Sequence, residues 1–300
     1  MADVVVADNL TKSYGKRRGV VDLSFTVAPG EVFGYLGPNG AGKTTTIRTL
    51  LDFLRPTAGR ASVLGLDSHR DSVQIHRRVG YLPGEFSLYD HMTGGEYLEY
   101  LANLRGGVPR EQIADVAERI DLELGVKVKT LSHGNRQKLG LVQAFMHRPE
   151  VLILDEPTQG LDPLIQQAFY ALVAETRADG RTVFLSSHVM PEIERVCDRV
   201  GIIREGRLVA VEDIGDLRAK EIRTLEIHFA APVEPGEFAG LPGVRGVEPV
   251  GDALRITISG GMDAVIKHAA RYDVVDLTSH EPTLEEIFLT FYGKEADGGD

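Results

Sequence analysis

One eight-residue segment constrains the fold of this chain more than any other. Gly37-Pro-Asn-Gly-Ala-Gly-Lys-Thr44 fits the pattern G-x-x-x-x-G-K-[ST] and directly follows the apolar run VFGYL. In such a strand–loop–helix unit, backbone N–H groups curl around phosphate oxygens, and the helix N-terminus adds the positive end of its dipole. The segment therefore predicts a phosphate loop. Its candidate ligand-binding residues are Gly37, Pro38, Asn39, Gly40, Ala41, Gly42, Lys43, Thr44 and Thr45.

Two side chains of this loop have specific expected roles. Lys43 is expected to reach the β- and γ-phosphates of a nucleotide, and the hydroxyl of Thr44 is expected to ligate Mg²⁺. A glycine-rich turn without a ligand is the structural alternative, and the full match to the pattern disfavours it.

A second carboxylate motif follows a buried-strand run at Val151–Leu154, which ends in Asp155 and Glu156. Asp155 is placed to bind Mg²⁺ through water, and Glu156 suits polarising the attacking water as general base. A strand that ends in solvated acids is common by itself, but its pairing with the phosphate loop favours a catalytic site.

The rest of the first 215 residues alternates short β-branched runs with longer helical patterns, which indicates an α/β sheet with parallel members. Further strands are predicted at Val4–Val6, Val32–Leu36, Val79–Leu82, Thr182–Ser186 and Val200–Ile203. Helical patterns at Gly95–Leu104 and Arg110–Leu122 predict a helical insertion at about 92–149. We therefore expect a P-loop NTPase core over residues 1–220.

The texture changes after residue 220, and residues 221–293 predict a small α+β domain. Strands, loops and a helix follow in an order that allows a ferredoxin-like β-α-β-β-α-β unit. A final helix is predicted from Pro282, because Thr283 and Glu286 fit a capping box. The tail at 294–300 is predicted to be disordered.

Charge and cysteine content limit the partners and the compartment. Net charge is −11, and residues 221–300 hold 15 acidic and 6 basic residues, which argues against nucleic acid as a partner. The one cysteine, Cys197, needs no oxidising compartment. No run approaches the roughly 18 apolar residues of a membrane span. We therefore expect a soluble cytoplasmic protein. If it acts on a membrane process, a separate polypeptide must supply the membrane part.

A third motif narrows the class of P-loop protein. Its residues are Leu131, Ser132, His133, Gly134, Asn135 and Gln137, at the start of an apolar-rich helix. Here the chain resembles the ABC ATPase family, whose signature is usually written LSGGQ, although His133 and Asn135 depart from that pattern. The resemblance implies that this segment binds the γ-phosphate held by an opposite subunit. The alternative is a helix cap with no ligand.

The resemblance extends over nearly all of residues 3–215 and implies further roles. Tyr14 would place its ring against adenine, and His188 would contact the γ-phosphate and orient water. The segment Gly160, Leu161 and Asp162 looks like the D-loop, which crosses the dimer interface. Without the resemblance, Tyr14 would be surface or core filler and His188 a polar loop residue.

One position departs from the family. Its Q-loop glutamine should fall at Gly84, but this chain has Gly84 followed by Glu85, so the usual carboxamide link is missing or replaced. Nearby Phe86, Leu88 and Tyr89 are candidates for an exposed patch that receives the membrane partner, and buried packing is the equal alternative.

The end of the chain, EPTLEEIFLTFYGK, resembles the tail of ATPases in the drug- and polyketide-exporting branch of ABC systems. The resemblance implies an ATP- and Mg²⁺-dependent ATPase that works as a homodimer or heterodimer. It would sit at the cytoplasmic face of the membrane through a separate transmembrane permease and export an amphipathic small molecule. Two alternatives stay open: a nucleotide-gated regulatory or scaffold subunit with weak hydrolysis, and a soluble ABC ATPase outside transport.

Overall fold

A computed structural model of the chain describes residues 2–15, 17–85, 88–219 and 222–280. The chain divides into two compact units, 1–212 and 213–300, so the division lies eight residues before the predicted boundary at 220. The strands of the first unit are β1 (Val5–Tyr14), β2 (Arg17–Val27), β3 (Val32–Leu36), β4 (Ala58–Val63), β5 (Leu66–Asp67), β6 (Val79–Leu82), β7 (Val151–Asp155), β8 (Thr182–Ser187), β9 (Arg199–Arg204) and β10 (Arg207–Asp213).

A six-stranded sheet in the order β10-β9-β3-β8-β7-β6 forms the centre of the first unit. The strands β9, β3, β8, β7 and β6 run parallel to one another. Every residue of β3, β7 and β8 is buried, which explains their continuous apolar sequences, since a parallel sheet is covered on both faces. Because the strands are parallel, their carboxyl ends meet at one edge, and the loops that follow them can build a single site.

A four-stranded antiparallel sheet, β2-β1-β4-β5, packs its apolar side chains into the same core. The sequence predicted only Val4–Val6 of this sheet. Strand β1 contains register shifts against β2, and Asn9 adopts a positive φ of 49°. Such bulges interrupt the alternation of apolar and polar residues, so the period-2 pattern that identifies a strand is lost.

The helices of the first unit are α1 (Lys43–Leu50), α2 (Ser72–Arg78), α3 (Gly94–Leu104), α4 (Arg110–Arg119), α5 (His133–Phe145), α6 (Pro163–Ala178) and α7 (Met190–Val196). Residues 92–149 contain α3, α4, α5 and one 3₁₀ turn, in agreement with the predicted helical insertion. Thr93 and Glu96 form a capping box that fixes the start of α3. Within the described residues, no helix combines the length and the apolar character needed to cross a membrane.

The second unit contains α8 (Ile214–Ala219), β11 (Ile222–Phe229), α9 (Gly236–Ala239), β12 (Val244–Val250), β13 (Ala253–Ser259), α10 (Asp263–Ala269) and β14 (Val274–His280). Its sheet has the order β12-β13-β11-β14, with every neighbouring pair antiparallel. The β-α-β-β-α-β order from β11 to β14 matches the ferredoxin-like expectation. The helix predicted from Pro282, with Thr283 and Glu286, and the tail at 294–300 lie outside the described residues.

One half-buried histidine of the first unit is expected to make its stability depend on pH. The Nε2 atom of His147 lies 3.3 Å from the carbonyl oxygen of Val79, and burial, followed by the charge of Arg105, lowers the pKa of His147 to about 4. An unfolded chain binds the proton near pH 6.5, so stability is full above that pH and falls as the pH drops toward 4.

We expect the free energy of unfolding to drop by about 2 kcal/mol between pH 7 and pH 5 through this group. His147→Gln keeps a donor for the carbonyl but does not titrate, so its urea-unfolding free energy should depend less on pH. His91→Gln, at an exposed position, is the control and should follow the wild type. Equal pH dependence in His147→Gln and the wild type would exclude His147 as the source.

Candidate functional site

The phosphate loop joins the end of β3 to the start of α1. Gly42 precedes α1 with φ 113°, a conformation that side chains rarely adopt, and a Cβ at Gly37 would lie 2.4 Å from the carbonyl oxygen of Ile203. No side chain caps the N-terminus of α1, so its first N–H groups are available to an anion.

The side chain of Lys43 lies buried within this loop. Its Nζ donates to the carbonyl oxygens of Gly37 and Pro38, at 2.5 and 3.2 Å, and lies 3.0 Å from Oε1 of Glu156. The loop carbonyls and the carboxylate of Glu156 together hold the ammonium of Lys43 within the loop.

A pocket of about 490 Å³ opens at the carboxyl ends of the parallel strands. The residues that line it are Gly19, Asn39, Gly40, Gly42, Lys43, Thr44, Thr45, Arg48, Gly84, Glu85, Glu156 and Gln159. It brings together the phosphate loop after β3, the Gly84 segment after β6 and Glu156 after β7. Gly19, Arg48 and Gln159 escaped prediction because no local pattern connects them with the motif.

The two carboxylates after β7 differ in environment. Asp155 is fully buried, and its Oδ1 accepts a 2.6 Å hydrogen bond from the hydroxyl of Ser186. Oδ2 of Asp155 is buried without a hydrogen-bond partner among the described residues, and a Cβ at Gly84 would lie 3.2 Å from it. A buried oxygen in this position is suited to a cation or to a water that a cation holds.

Glu156 and His188 form a direct pair. Nδ1 of His188 lies 2.8 Å from Oε2 of Glu156, a distance at which the imidazole donates to the carboxylate. Glu156 adopts a positive φ of 52°, which is uncommon for a residue with a side chain and marks strain that its surroundings must hold. The structure thus brings together the base and the histidine that were predicted separately.

The segment at the start of α5 does not line this pocket. Ser132 caps α5 by accepting from the backbone N–H of Asn135 at 3.2 Å, and Ser132 and His133 are exposed. A Cβ at Gly134 would lie 2.8 Å from the carbonyl oxygen of Gly160. Leu131 is buried, and the start of α5 is therefore an exposed helix N-terminus that rests on the 160–162 segment.

Gln137, one turn further along α5, contacts the segment after β7 of its own chain. Its Nε2 donates to the carbonyl oxygens of Glu156 and Pro157, at 3.1 Å each, and its side chain is buried. The amide of Gln137 therefore connects α5 with the backbone of Glu156, the predicted base.

The 160–162 segment leads into α6. Gly160 has φ 74°, and a Cβ there would lie 2.6 Å from the ring of His133. Leu161 is buried, and the carboxylate of Asp162 caps α6 by accepting from two backbone N–H groups. The close approach of His133 to Gly160 joins the two predicted segments on one surface.

Tyr14 lies at the end of β1 beside the pocket and is 44% exposed. A Cβ at Gly19, which lines the pocket, would meet the ring of Tyr14 at 3.2 Å. Tyr89, which follows the Gly84 segment in the sequence, is 55% exposed and packs edge-on against Tyr100, so it belongs to an open aromatic surface. Phe86 lies outside the described residues.

A set of part-buried hydrogen bonds around Glu156 and His188 was not predicted. Glu192 of α7 accepts from the hydroxyls of Thr158 and Ser187, at 2.6 and 2.7 Å. These two residues stand next to the segments that carry Glu156 and His188, so Glu192 ties the two loops together. The sequence around Ser187 and Thr158 does not indicate that their hydroxyls bind a carboxylate next to the site, so these contacts could not be predicted.

Comparisons with known proteins agree with this geometry. Residues 20–159 match the ABC transporter family. The chain is 36% identical over 236 residues to the bacitracin transport ATP-binding protein BcrA of Bacillus licheniformis, which covers 77% of this chain and 76% of that protein. It is 32% identical over 306 residues to the linearmycin resistance ATP-binding protein LnrL of Bacillus subtilis, with 96% and 98% coverage.

A solved structure of an ATP-binding subunit of an ABC transporter superposes with a TM-score of 0.66 at 30% identity. The superposition covers 72% of this chain and 92% of that one. The phosphate loop, the paired carboxylates and the cassette fold coincide in one compact unit. The chain therefore belongs to the ABC transporter family, as an ATP-binding subunit that hydrolyses ATP.

Proposed function

We propose that this chain works as one half of a head-to-tail dimer, formed by two copies or by this chain and a close relative. The dimer encloses two Mg-ATP molecules and drives a separate transmembrane permease. The observation that supports the dimer is the position of Ser132 and Gly134 outside the pocket of their own chain. An exposed helix N-terminus with a serine hydroxyl binds phosphate, and a phosphate held by a second subunit would reach it.

Within one pocket, each of several residues of this chain has a separate proposed role. Lys43 and the N–H groups of the loop bind the β- and γ-phosphates. The exposed ring of Tyr14 stacks on the adenine of ATP. Glu156 accepts a proton from the attacking water, and His188 orients the carboxylate and contacts the γ-phosphate. Because the carboxylate of Glu156 pairs with Lys43, ATP must displace that carboxylate from Lys43 when it binds.

The residues present fit a Mg²⁺ ion. Oδ2 of Asp155 is buried without a partner among the described residues and would lie 3.2 Å from a Cβ at Gly84, and both Gly84 and Thr44 line the pocket. The described residues contain no group of three or more His, Cys, Asp or Glu side chains that could hold a metal by themselves. Mg²⁺ bound through one or two protein ligands, waters and nucleotide phosphates matches that donor set. The ion would neutralise charge on the phosphates.

The transported molecule is proposed from the relatives. Two of them are named for bacitracin transport and linearmycin resistance, and the match to the latter extends over 96% of this chain. We infer that the permease exports an amphipathic small molecule of the antibiotic type, with this chain at the cytoplasmic face of the membrane. The open aromatic surface at Tyr89 and Tyr100 is the proposed contact with the permease.

Ser132→Arg tests the dimer. The bulky cation should leave ATP binding to the isolated subunit intact, while ATP-dependent dimer formation disappears and hydrolysis falls about tenfold or more. Light scattering with and without ATP, together with nucleotide titration, measures both. Because Ser132 also caps α5, Thr93→Arg is the control: it removes the cap of α3 without touching this surface. Loss of ATP affinity by the Ser132→Arg monomer would contradict a role in trans.

Affinity purification from membranes, followed by identification of the co-purifying chain, tests the transport role. A multispanning protein that stimulates ATP hydrolysis should be recovered. Hydrolysis that is weak and unaffected by such a partner would favour the nucleotide-gated scaffold. Vigorous hydrolysis without any membrane partner would favour a soluble ABC ATPase.

A further inference from the structure

Ser186 is a fully buried residue of β8 that contacts both carboxylate residues of the site. Strands β7 and β8 are parallel neighbours, and their register places Asp155 opposite Ser186. The hydroxyl of Ser186 donates to Oδ1 of Asp155 at 2.6 Å and accepts from the backbone N–H of Glu156 at 3.1 Å. A single hydroxyl thus satisfies one oxygen of the metal-binding candidate and one backbone group of the base.

The contact to Glu156 falls where the backbone is under strain. Glu156 has φ 52°, a conformation that costs about 1–2 kcal/mol for a residue with a side chain. Both of its backbone polar groups are held by side chains: the N–H by Ser186, and the carbonyl oxygen by Gln137. This double hold keeps the carboxylate of Glu156 turned toward Lys43 and His188.

The contact to Asp155 makes its two oxygens unequal. Oδ1 is occupied by the hydroxyl of Ser186, whereas Oδ2 has no hydrogen-bond partner among the described residues. A Cβ at Gly84, which lines the pocket, would lie 3.2 Å from Oδ2. The hydroxyl therefore fixes the rotation of the carboxylate and presents Oδ2 toward Gly84.

We propose that Ser186 is a positioning residue that aligns the metal-facing oxygen of Asp155 and the carboxylate of Glu156 at the same time. This inference rests on the proposed roles of those two residues. Ser186 is fully buried and does not itself line the pocket. Groups that orient metal ligands in this way commonly change metal affinity or activity by about 10–100-fold when they are removed.

Ser186→Ala tests the proposal, because it deletes the hydroxyl without adding volume. We expect kcat to fall roughly 10–100-fold while the KM for ATP changes about twofold or less. The affinity for Mn²⁺, followed by electron paramagnetic resonance with ADP present, should weaken by a similar factor. Nucleotide binding without metal should remain, since Lys43 and the loop are untouched.

Two further variants separate positioning from general destabilisation. Ser68→Ala makes the same change at a buried serine whose hydroxyl has no hydrogen-bond partner in the described part of the chain, and it should behave as the wild type. Ser186→Thr keeps the hydroxyl and should restore Mn²⁺ affinity and most of kcat. Unchanged Mn²⁺ affinity and kcat in Ser186→Ala would overturn the proposal. That result would leave the proposed function intact. The proposed function fails if the wild-type protein shows neither ATP-dependent dimerisation nor ATP hydrolysis.

Discussion

Glu156→Gln should reduce ATP turnover by about 10²–10⁴-fold while ATP binding is preserved. The amide is nearly the same size as the carboxylate but cannot accept the proton of the attacking water. In this structure the carboxylate also pairs with Lys43 at 3.0 Å, and the substitution removes that competing negative charge. ATP affinity should therefore stay equal to the wild type or increase. Single-turnover hydrolysis and nucleotide titration separate the two effects.

The same variant should accumulate the ATP-bound dimer, because the state that hydrolysis normally ends now persists. Gel filtration with ATP should show the dimer, and removal of ATP should restore the monomer. Glu150→Gln provides a matched control one residue before the same strand, where the exposed carboxylate pairs only with Arg78 among the described contacts. Wild-type turnover by Glu156→Gln would show that another group is the base.

Five strands of the central sheet, β9, β3, β8, β7 and β6, were predictable because each carries an uninterrupted apolar run. Strand β10 was not predicted, because it is only partly buried and has charged residues at both ends. Val32–Leu36 and Val79–Leu82 were predicted with the bounds that the structure has, and β7 and β8 differ by one residue at one end. The antiparallel sheet was missed because β2 and β4 mix polar and apolar residues across bulges and turns. A pattern of period 2 cannot be recognised once the register shifts within the strand.

The site was predictable to the extent that its residues belong to contiguous motifs. The spacing of Lys43, Asp155 and Glu156 follows from strand–loop order, and parallel strands bring them to one edge. Ser186 and Glu192 could not be found in this way, since neither belongs to a contiguous motif and their contacts with the site depend on the folded structure. The positive φ of Glu156 could not be predicted either, because glutamate is not a residue type that indicates this conformation.

The structure shows where Gly84, which stands in place of the expected glutamine, lies relative to Asp155. A side chain at this position would begin 3.2 Å from Oδ2 of Asp155, so the residue faces the metal-binding candidate, as the expected glutamine would. Glu85 lines the same pocket and remains the candidate replacement. The contact of this position with Asp155 could not be found from the sequence alone.

Lys43→Ala should weaken ATP binding to the isolated subunit by about 10–100-fold, because a charge-assisted contact to the β- and γ-phosphates is lost. Hydrolysis should fall further, by roughly 10²–10³-fold, since the same charge stabilises the transition state. The structure predicts a second effect of this substitution, a loss of stability. Glu156 loses its cationic partner, and among the described residues its carboxylate then pairs only with His188.

Lys138→Ala is the control for this second effect. Lys138 is also buried, and its Nζ donates to the carbonyl oxygen of Asp121 at 2.9 Å, away from the pocket. Both variants should lose stability in urea unfolding, but only Lys43→Ala should lose nucleotide affinity in titrations of the monomer. Equal ATP affinity in the two variants would mean that the loop N–H groups alone hold the phosphates, and that the buried ammonium serves mainly to neutralise Glu156.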